Sequence, residues 1–204
     1  MLNIYLTRHG QDLDNFHGIL NGRRDKPLSY IGRRQAKEAA TKLKNLVKFD
    51  FIYTSPLKRA YKTAKIISKN QGISTPIVMQ NLIERDFGKM TGKSLGEIEV
   101  LCKLHIIKTN TCTYFLNPAG AETFPQLVVR AKKVLSFIQK NYKDGNILLV
   151  THGDIGKMIY AVFYKIEWKK ALKSLSFGNT DLLSLSVRTK PDKAKVIETV
   201  QFNF

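Results

Sequence analysis

Two segments of the sequence combine an apolar, strand-like run with a histidine-glycine ending. Residues 4–10 read Ile-Tyr-Leu-Thr-Arg-His-Gly, and residues 147–153 read Ile-Leu-Leu-Val-Thr-His-Gly. Short apolar runs of this kind are typical of buried parallel strands, and open α/β sheets bind ligands beyond the carboxyl ends of their strands. A single histidine at a strand end is more often structural. Because the chain has only four histidines, the repetition indicates that His9 and His152 share one site.

The residue types at the predicted strand ends fit phosphoryl transfer. An arginine guanidinium binds phosphate oxygens bidentately and spreads its charge over them, whereas lysine acts as a point charge. A neutral imidazole can attack phosphorus and hold the phosphoryl group covalently. A buried glutamic acid with a raised pKa can protonate the leaving oxygen and later deprotonate the attacking water. The residues that supply these groups are Arg8, His9, Arg59, Glu84 and His152.

The segments that position these residues alternate between strand and helix patterns. Alternation of this kind predicts an α/β fold, and the last two strand patterns, joined through Pro191 and Asp192, predict an antiparallel hairpin at the sheet edge. After the first strand, the predicted elements are a long loop over 11–27, a helix capped by Ser29, a strand at 51–53, a helix that begins near Pro56 and ends at Gly72, a strand at 77–79, a helix followed by a loop over 95–113, a helix between Thr123 and Gly145, a helix over about 155–164, and strands at 182–187 and 195–202.

The length and composition indicate one α/β domain, or one domain with a small insertion. The chain has 204 residues, of which 43% are hydrophobic and 25% charged, as in ordinary globular proteins. Met1 leads directly into the first strand without a secretory signal, and no apolar run is long enough to span a bilayer, so we expect a cytoplasmic protein with no membrane association. Cys102 and Cys112 have neither a disulfide nor a zinc spacing and are predicted to be free thiols.

The formal net charge of +18 is the unusual feature of the composition. Such a charge attracts polyanions without sequence preference. The lysines are spread over nearly every predicted helix, however, and no nucleic-acid-binding motif with interleaved aromatic residues is present. A generally lysine-rich surface is therefore the preferred interpretation, and no specific nucleic-acid partner is expected. Polyanion binding is the alternative, and steeply salt-dependent binding would identify it.

Five motifs, in the same order along the chain, resemble those of the histidine phosphatase superfamily, also called the phosphoglycerate mutase-like family. The similarity covers nearly the whole chain and rests on residues 6–11, 28–36, 54–60, 82–92 and 150–153. The resemblance implies that His9 is the phosphorylated histidine and Glu84 the proton donor. It also implies a pocket made by Arg8, Arg59 and His152, and phosphate or substrate contacts from Arg8, Asn15, Asn21, Gly22, Arg59, His152 and Gly153.

The resemblance also implies the architecture. We expect a three-layer α/β/α sandwich with a mostly parallel sheet and one antiparallel edge strand. Residues 1–204 would form a single domain, with 85–123 as a variable, substrate-facing insertion. Residues 118–123 read Pro-Ala-Gly-Ala-Glu-Thr where the family commonly has Pro-x-Gly-Glu-Ser. The additional residue weakens a ligand role for Glu122.

The resemblance implies the activity of a metal-independent phosphomonoesterase that has no cofactor and acts on a small phosphorylated substrate. A homodimer is consistent with it. The first alternative is a 2,3-bisphosphoglycerate-dependent phosphoglycerate mutase, which must return the phosphoryl group to the substrate before water arrives. Mutases of the family generally have a longer insertion before the second histidine and a C-terminal tail over the pocket. A non-catalytic binding module is the other alternative, but it requires the loss of a catalytic residue, and all five are present.

Overall fold

A computed structural model describes residues 1–199, so the predicted strand at 195–202 lies partly outside the described residues. Six of its strands form one sheet in the order β3-β2-β6-β1-β7-β8, and β4 and β5 form a separate hairpin. The strands are β1 (Leu2–Arg8), β2 (Phe51–Thr54), β3 (Ile77–Val78), β4 (Ile106–Lys108), β5 (Thr113–Phe115), β6 (Gly145–Thr151), β7 (Leu182–Leu185) and β8 (Lys195–Ile197).

The pairing of the strands confirms the predicted mostly parallel sheet. β3, β2, β6 and β1 run parallel to one another, and β1 and β6 pair along their whole length, from Leu2 with Gly145 to Arg8 with Thr151. β7 runs antiparallel to β1, and β8 runs antiparallel to β7. The predicted hairpin therefore lies at the sheet edge, with the antiparallel strand β7 one place inside the edge strand β8.

Helices cover both faces of the sheet, as the predicted three layers require. Along β6, Leu148 and Val150 pack with the helices at 30–46 and 58–71, whereas Ile147 and Leu149 pack with the helices at 124–141, 153–163 and 168–174. Alternate residues of a buried strand point to opposite faces, which explains why β6 is apolar throughout. None of the helices in residues 1–199 is long and apolar enough to cross a bilayer. The helices are α1 (Leu13–Phe16), α2 (Tyr30–Leu46), α3 (Lys58–Gln71), α4 (Ile98–Cys102), α5 (Phe124–Asn141), α6 (Gly153–Phe163) and α7 (Trp168–Ser174).

Local capping explains where the long helices begin and end. Ser29 caps α2 by accepting a hydrogen bond from the Gly32 N–H (3.0 Å), as predicted. Thr123 and Gln126 form a capping box at the start of α5. Gly72 ends α3 in the left-handed conformation (φ +74°), which glycine adopts without strain.

Several elements differ from the prediction. The predicted loop over 11–27 contains the short helix α1, and the predicted helix-then-loop over 95–113 is helix α4 followed by β4. The helix predicted to end at Gly145 ends at Asn141, and Gly145 begins β6. Helix α7 was not predicted. The missed elements α1, α4, β4 and α7 are short. Short elements give weak periodic signals, because their conformation depends on packing against the rest of the fold.

Candidate active site

His9 lies at the carboxyl end of β1, in the centre of the sheet. Its backbone N–H donates to the Thr151 carbonyl (3.0 Å), and its own carbonyl accepts from the Asn179 side chain (2.8 Å). Its Nδ1 lies 2.7 Å from the Gly10 carbonyl oxygen. A carbonyl can only accept, so we assign the proton to Nδ1 and the lone pair to Nε2. Burial, together with the charges of Arg59 and Arg8, holds the pKa of His9 well below its usual value, and the imidazole is therefore neutral.

The loop after His9 is fixed by a close crossing with the start of α2. A Cβ atom on Gly10 would lie 2.3 Å from the Gly32 carbonyl oxygen, and one on Gly32 would lie 1.9 Å from the Gln11 carbonyl oxygen. Only glycine fits at both positions. The crossing holds the Gly10 carbonyl in place, and that carbonyl orients the His9 ring.

Arg59, in the first turn of α3, is fully buried behind His9. Its Nε–H donates a hydrogen bond to His9 Nε2 at 3.1 Å. Its two terminal nitrogens donate to the backbone carbonyls of Arg24 (2.6 Å) and Gly22 (2.7 Å). The guanidinium is therefore held in position by the backbone, and Gly22 contributes a carbonyl to that position.

Arg8 and His152 bring two buried nitrogens close to His9 that have no hydrogen-bond partner among residues 1–199. These nitrogens are Arg8 Nε and His152 Nδ1. The rings of His9 and His152 lie 4.9 Å apart between centroids, and His152 Nε2 lies 2.7 Å from the Ser55 hydroxyl oxygen. When Ser55 donates this bond, Nδ1 carries the proton and can itself donate. Burial and the charge of Arg59 lower the pKa of His152, so it too is neutral.

Glu84 lies in the loop after β3, and its buried carboxyl group packs against the first turn of α6. Its Oε1 accepts from the backbone N–H groups of Arg85 (2.8 Å) and Ile155 (3.3 Å), and its Oε2 accepts from that of Asp154 (3.3 Å). Burial and the nearby negative charge of Asp154 raise the pKa of Glu84, although the Arg85 N–H opposes them. A raised pKa keeps the group protonated at higher pH, as proton donation requires.

A cavity of about 530 Å³ opens in front of His9, and most of the predicted site residues face it. Gly22, Arg59 and His152 do not line it and lie buried behind the lining residues. The predicted residues that line the cavity are Arg8, His9, Asn15, Asn21, Glu84 and Gly153. From the predicted insertion at 85–123, the lining residues are Phe87, Leu95, Thr111, Cys112 and Tyr114.

Asp12 is a buried carboxyl group beside the site that the sequence interpretation missed. Its Oδ2 lies 3.3 Å from Arg59 Nε and accepts from the Asn21 side chain at 2.6 Å. Its Oδ1 accepts from the Asn15 N–H and caps α1. Burial raises the pKa of Asp12, and Arg59 opposes that shift. An aspartate immediately before the first residue of a helix is a recognisable cap, but the contact with Arg59 depends on the tertiary fold.

Arg130 is a second missed residue, and it positions Glu84 through the backbone. Arg130 Nη2 and Arg23 Nε each donate to the Glu84 carbonyl at 3.2 Å. Both arginines also bind the Glu122 carboxylate, at distances of 2.7–3.2 Å. Glu122 therefore orders the arginines rather than facing the cavity. A single basic residue on an amphipathic helix gives no sequence signal for such a role.

The cysteines and other metal-binding residue types are dispersed in the described part of the chain. Cys102 is buried, Cys112 is exposed, and both are free thiols. Residues 1–199 contain no group of three or more His, Cys, Asp or Glu side chains that could hold a metal ion. The groups next to the His9 ring are the Arg59 guanidinium and the His152 imidazole, and Glu84 lines the same cavity as His9.

Comparison with protein families matches residues 4–199 to the histidine phosphatase superfamily (branch 1). Curated relatives include the uncharacterized phosphatase PhoE of Bacillus subtilis (strain 168), which is 34% identical over 75% of this chain and 72% of that protein. The metal-independent phosphoserine phosphatase of Arabidopsis thaliana is 31% identical over 77% of this chain and 66% of that protein. A 2,3-bisphosphoglycerate-dependent phosphoglycerate mutase of Parvibaculum lavamentivorans is 31% identical over 83% of each chain.

Solved structures share the fold over most of their length. The structure described as mycobacterial hydrolase 1 superimposes with a TM-score of 0.78 over 90% of both chains, at 23% identity. A phosphoserine phosphatase from Entamoeba histolytica, in complex with 3-phosphoglyceric acid, superimposes with a TM-score of 0.74 at 25% identity. It covers 98% of this chain and 96% of that one.

Proposed function

The chain belongs to the histidine phosphatase superfamily, and we propose that it is a phosphomonoesterase that acts through a phosphohistidine on His9. The relatives support phosphatase activity as a class. In this reaction each residue of the site has a separate role. No metal ion takes part, because the charges that face the phosphate belong to side chains.

In the first half of the proposed reaction, the Nε2 lone pair of His9 attacks phosphorus and the bond between phosphorus and the ester oxygen breaks. Glu84 gives its proton to that oxygen, and the product leaves as an alcohol. Two arginines and His152 stabilise the charge on the three remaining phosphoryl oxygens. Arg59 supports this role because its Nε–H donates to the His9 Nε2 lone pair at 3.1 Å. When Nε2 attacks phosphorus, this N–H is released from the ring and donates to a phosphoryl oxygen instead.

In the second half, water attacks the phosphohistidine. Glu84, now a carboxylate, removes a proton from the water while the bond between phosphorus and Nε2 breaks. Phosphate leaves, Glu84 is protonated again, and His9 regains its lone pair. The three backbone N–H groups at Glu84 support this step because they stabilise the carboxylate that forms after the first half.

One observation carries the proposal: a neutral imidazole, fixed with its lone pair on Nε2, has two unpaired buried donor nitrogens near it. Buried polar groups in folded proteins almost always have a partner. Arg8 Nε and His152 Nδ1 have none in residues 1–199. A phosphoryl group on His9 would supply acceptor oxygens for both.

The decisive experiment tests His9 as the nucleophile. We expect His9→Ala to abolish hydrolysis of p-nitrophenyl phosphate and to leave the fold intact, because the side chain does not form part of a strand. Mass spectrometry of the wild-type protein, quenched during turnover, should locate the phosphoryl group on His9. His17→Ala is the matched control, since His17 is an exposed histidine. Turnover of His9→Ala above about one-tenth of wild type would contradict the covalent mechanism.

A second candidate function is 2,3-bisphosphoglycerate-dependent phosphoglycerate mutase activity. The relative from Parvibaculum lavamentivorans, with the same coverage of both chains, supports it. The same pocket would return the phosphoryl group to the substrate instead of to water. Incubation with 3-phosphoglycerate and 2,3-bisphosphoglycerate distinguishes the two activities. A mutase forms 2-phosphoglycerate, whereas a phosphatase releases inorganic phosphate.

A further inference from the structure

Lys157 is a buried lysine that faces the cavity and has no part in the proposed mechanism. It lies on α6 and is only 6% exposed. Its ammonium group donates a hydrogen bond to the Tyr114 hydroxyl and lies 4.9 Å from the centre of the Tyr114 ring. Tyr114 comes from the β4-β5 hairpin and is also buried. Both residues line the same cavity as His9.

The positive charge of Lys157 is not balanced by an ion pair within residues 1–199. Asp154 also lies on α6, but its carboxylate binds Arg85 Nε at 2.7 Å. Arg85 is itself buried and lies over the rings of three phenylalanines. Burial lowers the pKa of Lys157, and electrostatic interactions with the Cys112 thiol and then with Asp154 oppose this shift only in part. A buried ammonium of this kind gains most from an anionic ligand that enters with the substrate.

The position of Lys157 on α6 sets how far such an anion would lie from the phosphate. Lys157 follows Gly153 by one helical turn, which is a rise of about 6 Å along the axis. Gly153 is adjacent to Glu84 and Arg8, on the phosphate side of the cavity. Side chains on a helix lean toward its N-terminus, so the Lys157 side chain leans toward that same side. A short carbon chain would span the separation.

We propose that Lys157 and Tyr114 form a subsite for a carboxylate of the substrate, so that the preferred substrates are phosphate monoesters of short hydroxy acids or amino acids. This inference rests on the proposed phosphatase function. The Lys157 ammonium pairs with the carboxylate, and the Tyr114 hydroxyl donates a second hydrogen bond to it.

The composition of the subsite favours a carboxylate over a second phosphate group. One ammonium and one phenol hydroxyl match a singly charged, two-oxygen group. The phosphate at the other end of the cavity has two arginines and two histidines available to it. A second phosphate, with its higher charge and three free oxygens, would leave oxygens unpaired in this subsite.

The test compares substrates that differ only in the carboxylate. O-phosphoserine and O-phosphoethanolamine form such a pair, and the measured quantity is the ratio of their kcat/KM values. We expect wild type to prefer O-phosphoserine by about 10- to 100-fold, which is the range for one hydrogen-bonded charged contact. Lys157→Met removes the charge at similar length and should bring the ratio close to one. Lys157→Arg should keep most of the preference.

The controls separate the subsite from net charge and from misfolding. Lys62→Met removes one exposed charge from α3 and should leave the ratio unchanged. If Lys157→Met does not fold, Tyr114→Phe tests the subsite instead. It should lower the ratio of kcat/KM for O-phosphoserine to that for O-phosphoethanolamine by roughly 2- to 10-fold. A wild-type ratio near one, or a ratio that Lys157→Met does not change, would refute the subsite and identify the lysine as structural.

A third substrate distinguishes the two anions. If propane-1,3-diol bisphosphate is preferred over its monophosphate more strongly than O-phosphoserine over O-phosphoethanolamine, the subsite binds phosphate and the carboxylate assignment is wrong. Failure of the underlying function has a different result: no ester is hydrolysed, or hydrolysis survives His9→Ala. Hydrolysis of all these esters at similar rates would refute only the subsite.

Discussion

Replacing Glu84 with glutamine tests whether its carboxyl group is the proton donor. The side chains have nearly the same size, but glutamine cannot release a proton. In the structure, the two Glu84 oxygens accept three backbone N–H groups, from Arg85, Asp154 and Ile155. Glutamine offers only one oxygen, so at least one of these N–H groups loses its acceptor.

The expected magnitudes follow from these contacts. Proton donation by a positioned side chain contributes about 10²–10⁴-fold, so turnover of an alkyl phosphate should fall by that factor. p-Nitrophenyl phosphate has a good leaving group and should fall by much less. A buried donor without a partner costs about 1–3 kcal/mol. At about 2–4 °C per kcal/mol for a chain of this size, the Tm should fall by several degrees while the protein remains folded at 25 °C.

The assay is single-turnover formation of the phosphohistidine, which separates the first step from its hydrolysis. The quantity compared is the ratio of mutant to wild-type rate for an alkyl and an aryl phosphate. Asp86→Asn is the matched control, because Asp86 is a neighbouring carboxylate that is 39% exposed and binds Arg23. Both of its ratios should stay near one. Equal ratios for the two substrates in Glu84→Gln would refute Glu84 as the donor, and a large alkyl-specific loss in Asp86→Asn would assign the role there.

Two further predictions concern metal ions and pH. Activity should survive EDTA, because the charges proposed to face the phosphate come from Arg8 and Arg59; complete loss with EDTA and recovery with a divalent ion would instead indicate metal chemistry. Burial holds the pKa values of His9 and His152 well below the usual 6.5. At a pH between these lowered pKa values and 6.5, both histidines are therefore protonated in the unfolded chain and neutral in the folded protein. Stability from these groups is therefore present above pH 6.5 and lost as the pH falls. The Tm should be lower at about pH 5.5 than at about pH 7.5, and a smaller difference in His9→Asn/His152→Asn would check the assignment; an unchanged difference would contradict it.

Local sequence patterns predicted the alternation of strands and long helices, and the resemblance to the family supplied the three layers. The run before Arg8 is apolar because β1 is buried on both faces, and the cap at Ser29 is a contact between residues three apart. Features of this kind are visible in the sequence, because the interacting residues are close together along the chain. The hairpin at 106–115 was missed for the opposite reason. Its strands have three residues each and no glycine-containing turn marks them.

Residue types at strand ends indicated the five proposed catalytic residues, and the resemblance to the family added Asn15, Asn21, Gly22 and Gly153. His9 and His152 follow adjacent parallel strands, and so the topology of the sheet brings them together. Asp12 and Arg130 have no comparable pattern. Asp12 contacts a residue far along the chain, and Arg130 acts on the Glu84 backbone carbonyl from another helix. Such contacts depend on the packing of distant segments.

The arrangement around Arg59 explains why several residues of the proposed site, such as Gly22 and Arg59 itself, do not line the cavity. A guanidinium free to move would have to be ordered when phosphate binds, which costs side-chain entropy and reorganisation energy. Here the carbonyls of Arg24 and Gly22 fix its ends, and the Asp12 carboxylate lies beside its Nε. Folding therefore orders the Arg59 guanidinium next to His9 Nε2, and substrate binding would not have to supply the free energy for ordering it. The proposed role of Arg59 at the phosphate therefore depends on buried partners, such as Asp12 and the Arg24 carbonyl, that the sequence did not reveal.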